Sequence, residues 1–166
     1  MNREGLTIIL VAGMALVLSA TFAWAGPMRG VEIVVVTDLD TPLTVPDPYT
    51  AIGPAVTMGI LSGTGTVTTG AFIWPPPPGG SLMVKYFVCA NGTFDVELRV
   101  WLHEEGNTTG IWKIIGGTGA YANLNGHGTL TGTYDPLAND VRDVYIGKMN
   151  IAGPPATTPP PWAGKK

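Results

Sequence analysis

Several things are scarce in this chain, and each scarcity removes a class of protein. Cysteine occurs once, at Cys89, so no disulfide framework exists within the chain. A lone cysteine is either a small buried hydrophobe or one half of an intermolecular bridge. Histidine occurs twice, at His103 and His127. Without cysteines to join them, two histidines assemble no zinc site, and neither belongs to an H-E-x-x-H pattern. No cofactor and no metal is therefore expected. Charged residues make up only 13% of the chain, and the net charge is −3. Basic residues form no run beyond Lys165-Lys166, which argues against nucleic acid as a partner. A G-x-S-x-G elbow is also missing. No residue set specifies a reaction, so whether the protein is an enzyme stays open.

One apolar run does exist, at the start. Met1 to Gly5 is short, polar and carries Arg3; Leu6 to Leu18 is apolar; small residues follow, ending in Ala23-Trp24-Ala25. Signal peptidase has shallow pockets and needs small side chains at those two alanines. Residues 1–25 therefore read as a signal peptide cleaved before Gly26. The run is short for a membrane span. The mature protein is expected outside the cytoplasm, secreted or periplasmic, and free of the membrane once cleaved. No cysteine lies near the site to take a lipid anchor.

What the chain has in abundance is turn chemistry: 23 glycines and 15 prolines. After residue 25 no stretch sustains a 3.6-residue apolar period, and β-branched runs alternate with glycine and proline clusters. Val31 to Thr37 reads as a strand apolar on both faces. Thr41 to Pro54, with four prolines, reads as a long loop. Ala55 to Ile60 and Thr64 to Trp74 read as strands, followed by the stiff Pro75 to Pro78 segment. Gly110 to Ile115, Gly128 to Tyr134 and Val141 to Ile151 are further strands. From Gly153 the chain is too proline-rich to pack and reads as a disordered tail. The expected organisation is signal peptide 1–25, one β-barrel domain 26–152 and tail 153–166. About eight or nine short strands point to an all-β antiparallel barrel or sandwich.

Ser81 to Cys89 and Thr93 to Leu102 flank Ala90-Asn91-Gly92 and read as a hairpin. A two-residue Asn-Gly turn would set Cys89 opposite Phe94 and Tyr86 opposite Glu97, mixing apolar and charged residues on both faces. A three-residue loop with Gly92 in the left-handed position sets Val88 opposite Phe94, Tyr86 opposite Val96, Val84 opposite Leu98 and Leu82 opposite Val100. One face is then wholly apolar, while Lys85, Glu97, Met83 and Arg99 share the other. The pattern favours the three-residue register. It predicts a barrel interior lined by Leu82, Val84, Tyr86, Val88, Phe94, Val96, Leu98 and Val100, with no acid–base pair. It also leaves Met83 and Phe87 exposed for an oligomer to bury.

Gly117 to Ala122 matches the G-x-G-x-x-A nucleotide fingerprint, but the glycines at 126, 128 and 132 leave no room for the helix that such a site requires. Asp38, Asp40 and Asp47 fall in one apparent loop, and Asp135, Asn139, Asp140 and Asp143 in another. Neither has EF-hand spacing, and solvated loop carboxylates are the expectation. Asn91-Gly92-Thr93 and Asn107-Thr108-Thr109 are glycosylation sequons in a host that uses them.

The segment WKIIGGTGAYANLNGHGTLTGTY, Trp112 to Tyr134, combines a tryptophan, the tight turn Gly116 to Gly119, Tyr121, Leu124, Gly126 and Gly128. It resembles the glycine-rich hairpin of the allene oxide cyclase and dirigent-like β-barrels, most of all their small secreted bacterial relatives. The resemblance implies an eight-stranded antiparallel barrel, often a homo-oligomer, whose cavity holds a small apolar ligand. Plant members of that family steer cyclisation or radical coupling by shaping the cavity. Their acidic and arginine cavity residues match no motif position here. Three functions remain: a barrel that binds a small apolar molecule, a cyclase or isomerase on the same barrel, and a structural, oligomer-forming extracellular protein. The expected ligand contacts are Tyr86 in the cavity, with Trp101, His103 and Tyr121 near strand ends where a mouth would lie.

Overall fold

The computed structural model describes residues 26–73 and 80–152. Residues 1–25, expected as a signal peptide, the Pro75 to Pro78 segment and residues 153–166, expected as a tail, lie outside the described residues. Eight strands follow one another: β1 (Arg29–Asp38), β2 (Asp47–Ile52), β3 (Thr64–Ile73), β4 (Ser81–Cys89), β5 (Gly92–Leu102), β6 (Thr108–Gly117), β7 (Leu124–Asp135) and β8 (Asp140–Ile151). Each pairs antiparallel with the next, and β8 closes onto β1 from Arg29↔Met149 to Asp38↔Asp140. The result is a closed, all-antiparallel barrel with chain order equal to strand order. Closure satisfies backbone groups that an open sheet would leave at its edges.

Period-two alternation decides what enters the interior. In β1, Val31, Ile33, Val35 and Thr37 are buried, while Val34 and Val36 lie toward the outside. In β5, Phe94, Val96 and Leu98 are buried, and Val100 follows on the same face. In β8 the inward set is Val141, Asp143, Tyr145, Gly147 and Met149, of which Asp143, Tyr145 and Met149 are fully enclosed.

Outside the β4–β5 hairpin, three segments differ from the sequence expectation. Within the expected Thr41 to Pro54 loop lies β2, with Tyr49 and Ala51 buried. Its Pro48 is exposed at the second residue of a short strand, where a missing amide donor is tolerated. The stretch from Ala55, expected as a strand, is instead a short helix, α1 (Pro54–Thr57), with Pro54 at its first position. Gly116 and Gly117 belong to β6 rather than to a tight turn. The reversal after them is a 3-10 turn, Gly119–Tyr121.

The β4–β5 hairpin corrects the expected register. Cys89 pairs with Gly92, Phe87 with Phe94, Lys85 with Val96 and Met83 with Leu98. The connection is thus the two residues Ala90-Asn91, a register that neither considered loop gives. Its parity turns every β4 side chain over. Phe87 and Lys85 are buried and Met83 packs against the core, whereas Tyr86 and Val88 are exposed and, with Leu82 and Val84, point away from the interior. The β5 half of the expectation stands, because Phe94, Val96, Leu98 and Val100 do face inward. Gly92 is required for another reason than a left-handed turn. It has φ 147, and the Thr118–Gly119 backbone crosses directly over it where a Cβ would sit. The crossing is fastened by Ala120 N–H donating to Asn91 O at 2.9 Å and Thr93 N–H donating to Thr118 Oγ1 at 3.2 Å.

Candidate functional site

The two ends of the barrel are filled differently. At the end carrying the β2–β3, β4–β5 and β6–β7 connections, five aromatic rings form a continuous plug. Phe87 stacks on Phe94 with centroids 4.6 Å apart and meets Tyr49 and Tyr145 edge-on at 5.3 and 6.0 Å. Phe94 in turn meets Tyr121 at 5.8 Å. Such offset and edge contacts add to the area these rings bury. Tyr49 and Cys89 share a hydrogen bond at 2.8 Å, and the Tyr121 hydroxyl accepts the Ser62 N–H at 3.2 Å. Ala55 of α1 and Leu61 after it are buried over the same end. Burial pushes the Tyr49 phenol well above its ordinary pKa, and the Cys89 neighbour adds to the rise. Tyr121 shifts upward from the same two causes.

At the other end the barrel holds a cavity of about 200 Å³. Its wall is mostly apolar: Leu39, Leu43, Met83, Leu98, Leu130 and Val141 contribute. Its polar side chains are Lys85, Asp143 and the threonines 37, 69 and 108. Eight strands leave an interior about wide enough for side chains or one small ligand; here one end is plugged and the other holds the cavity.

Lys85 and Asp143 come from β4 and β8, which stand on opposite walls with three strands between them in either direction. Lys85 is 4% exposed and Asp143 9%. Register explains their common level: Thr69 pairs with Lys85, Asp143 with Val35, and Gly132 sits between Thr108 and Asp143. A side chain at Gly132 would occupy the space held by Asp143 Oδ1 and Thr108 Oγ1, so glycine there makes room for the carboxyl.

The electrostatics are those of charges placed in a dry wall. Burial drives the Asp143 pKa up to about 6; the Lys85 charge opposes the rise and Asp47 adds to it. Burial lowers the Lys85 pKa, against the pull of Asp143 and Asp47. Among the described residues, Lys85 has no carboxylate within ion-pair distance; the ion pair present is Lys113–Glu97 at 2.8 Å on the outer wall. Two hydroxyls nearby are buried without hydrogen-bond partners, those of Thr37 and Tyr145. Burial pushes the Tyr145 phenol far up, and Asp143 is near enough to reinforce it. A cation, an acid and the unpaired Thr37 hydroxyl facing an apolar void can hold the polar end of a small molecule and can move protons on it.

The four residues expected from sequence to contact a ligand do not line this cavity, although Leu98 and Val100 of the expected interior do. Tyr86 lies on the outer wall, 42% exposed, with its ring over Gly70. Trp101 is at the cavity end of β5 but faces outward. His103 follows it in the β5–β6 connection, exposed, with Nε2 and Thr109 Oγ1 2.7 Å apart. Tyr121 belongs to the plug at the far end. Lys85, expected outside opposite Glu97, is inside, and Asp143, expected in a solvated loop, is an inward residue of β8. The interior therefore does contain an acid and a base, contrary to the sequence reading. The same inversion removes Met83 and Phe87 from the outer surface. Among the described residues, no cluster of three or more metal-ligating side chains occurs.

Comparison with protein-family models, with curated proteins and with solved structures finds no match.

Proposed function

We propose that this barrel binds a small, mainly apolar molecule whose single polar end rests against Lys85 and Asp143. The observation that carries the proposal is the half-empty lumen, an apolar void of about 200 Å³ with both groups in its wall. The balance of charge narrows the ligand further. One lysine faces Asp143 and Asp47, so a carboxylate or phosphate would bring a surplus of negative charge into a dry site. A neutral polar end, a carbonyl or hydroxyl, fits instead. The resemblance of Trp112 to Tyr134 to the allene oxide cyclase and dirigent-like barrels supports the same reading, because the closed eight-stranded fold is the one it implies.

A second reading, an isomerase or cyclase acting on such a molecule, draws its support from the Lys85 and Asp143 pair. An acid with a pKa of about 6 is suited to proton transfer near neutrality. Export is proposed on the residue 1–25 pattern: mature protein collected outside the cytoplasm is expected to begin at Gly26, and an intact Met1 terminus in its mass spectrum would refute this.

Calorimetric titration with hexanol tests the binding reading. Saturable binding is expected, with the Met83 methyl resonance shifting in step. Val100→Trp, which fills the cavity from its wall, abolishes it, and Tyr86→Ala on the outer wall leaves it unchanged. Binding insensitive to Val100→Trp, or no binding at all, would overturn the assignment.

A further inference from the structure

We infer that Lys85 is a nucleophilic amine, and that a small apolar aldehyde entering the cavity condenses with it to form an imine. The inference rests on the reading of this end of the barrel as a ligand site and deepens it to a substrate class. Three observations carry it. Lys85 is enclosed in the barrel wall, yet no carboxylate lies within ion-pair distance of it among the described residues. A lysine buried for structural reasons would be expected to sit in direct contact with its counter-charge, since an unpaired buried ammonium costs several kcal/mol. Its surroundings are apolar, with Met83 and Leu98 paired beside it. A desolvated lysine in such a pocket is the usual form of an amine nucleophile. Burial also enlarges the neutral, reactive share of the amine.

The third observation is Asp143 on the facing wall, next to the space left by Gly132. The Lys85 nitrogen lone pair attacks the carbonyl carbon, the C=O π electrons move to oxygen, and that oxygen takes up one of the two amine protons to give a neutral carbinolamine. The Asp143 carboxylic acid then protonates that hydroxyl, which leaves as water. The nitrogen forms the C=N bond and returns its remaining proton to the carboxylate. Aldehyde and amine thus become imine and water, with no oxidant or reductant. Thr37, whose hydroxyl lacks a partner and lines the cavity, is placed to hold the oxygen during these transfers.

The test is reductive trapping of the full chain with hexanal and cyanoborohydride at neutral pH. A single added hexyl group is expected, mapped by peptide mass to Lys85 ahead of the exposed Lys113 and Lys148, and suppressed by excess hexanol. Lys85→Met is expected to lose the label, and Tyr86→Ala on the outer wall to keep both the label and hexanol binding. Asp143→Asn is expected to slow labelling by about a hundredfold. Label spread over Lys113 and Lys148 with Lys85 unmodified, while hexanol still binds, overturns the imine and leaves the binding site standing. Failure of both hexanal and hexanol overturns both. Should Lys85→Met not fold, the peptide map of the unaltered chain decides alone.

Discussion

The plugged end and the hollow end are built from the same eight strands, yet one is organised around aromatic contact and the other around buried charge. Where Phe87, Phe94, Tyr49, Tyr121 and Tyr145 meet, nearly every ring touches another, and the end is sealed by α1 and the β6–β7 turn. Two residues along β4 from Phe87 stands Lys85, and two along β8 from Tyr145 stands Asp143. Side chains that would complete a core are replaced there by groups that cannot pack without loss. The difference teaches that close packing and buried charge are divided along the barrel axis: the plug supplies cohesion that the hollow end gives up.

Substitutions can break that division, and the largest effect belongs to the plug. Phe94→Ala removes a ring stacked on Phe87 and facing Tyr121, and is expected to cost about 3–5 kcal/mol in denaturant unfolding. Val100→Ala, beside the existing void, is expected to cost only about 1–2 kcal/mol. Equal costs would mean that the two ends are packed alike.

Next comes the acid of the hollow end. The groups facing Asp143 are Lys85, Asp47 and Tyr145. Its folded pKa of about 6 lies above the unfolded value, so the native state binds this proton more tightly. The stability it contributes is present below about pH 4 and lost as pH rises through about 6, a change of about 3 kcal/mol. Unfolding measured across that range is expected to show Asp143→Asn gaining on the unaltered protein as pH rises. A constant difference between the two would show that Asp143 is solvated and that the hollow end is not dry.

The smallest effect is a control on the outer wall. Glu97→Ala breaks an exposed pair with Lys113 and is expected to cost well under about 1 kcal/mol, whereas its neighbour Leu98→Ala costs about 2–5. A large cost at Glu97 would show that the outer wall shares the load assigned here to the interior.

The same division explains what could be read from the sequence. In β5, Phe94, Val96, Leu98 and Val100 are separated by Asp95, Glu97 and Arg99, so the inward face is legible directly. In β4 both faces are apolar apart from Ser81 and Lys85, and pattern reasoning places a lone lysine outside. That choice inverted the strand, because here the lysine is buried in the cavity wall. A different signal was available: pairing Phe87 with Phe94 across Ala90-Asn91 brings two rings together, which the chosen register does not. Asp143 was obscured by its neighbours. Asp135, Asn139 and Asp140 resemble a polar loop, while only the alternation Val141, Asp143, Tyr145 marks it as inward. Strand number and turn spacing left barrel and sandwich open, and closure, which the resemblance of Trp112 to Tyr134 implied, is present; the short β2 was hidden by prolines on either side of Tyr49.

Both ends of the described chain leave from the plugged side. Asn150 Nδ2 donates to Gly26 O at 2.7 Å, and Ala152 N–H donates to Asn123 O at 2.8 Å. Gly26 and Ala152 therefore both stand opposite the cavity. A barrel anchored to a surface at either of these two residues would present its hollow end outward, so a sensor attached there leaves the cavity facing solution without redesign of the barrel.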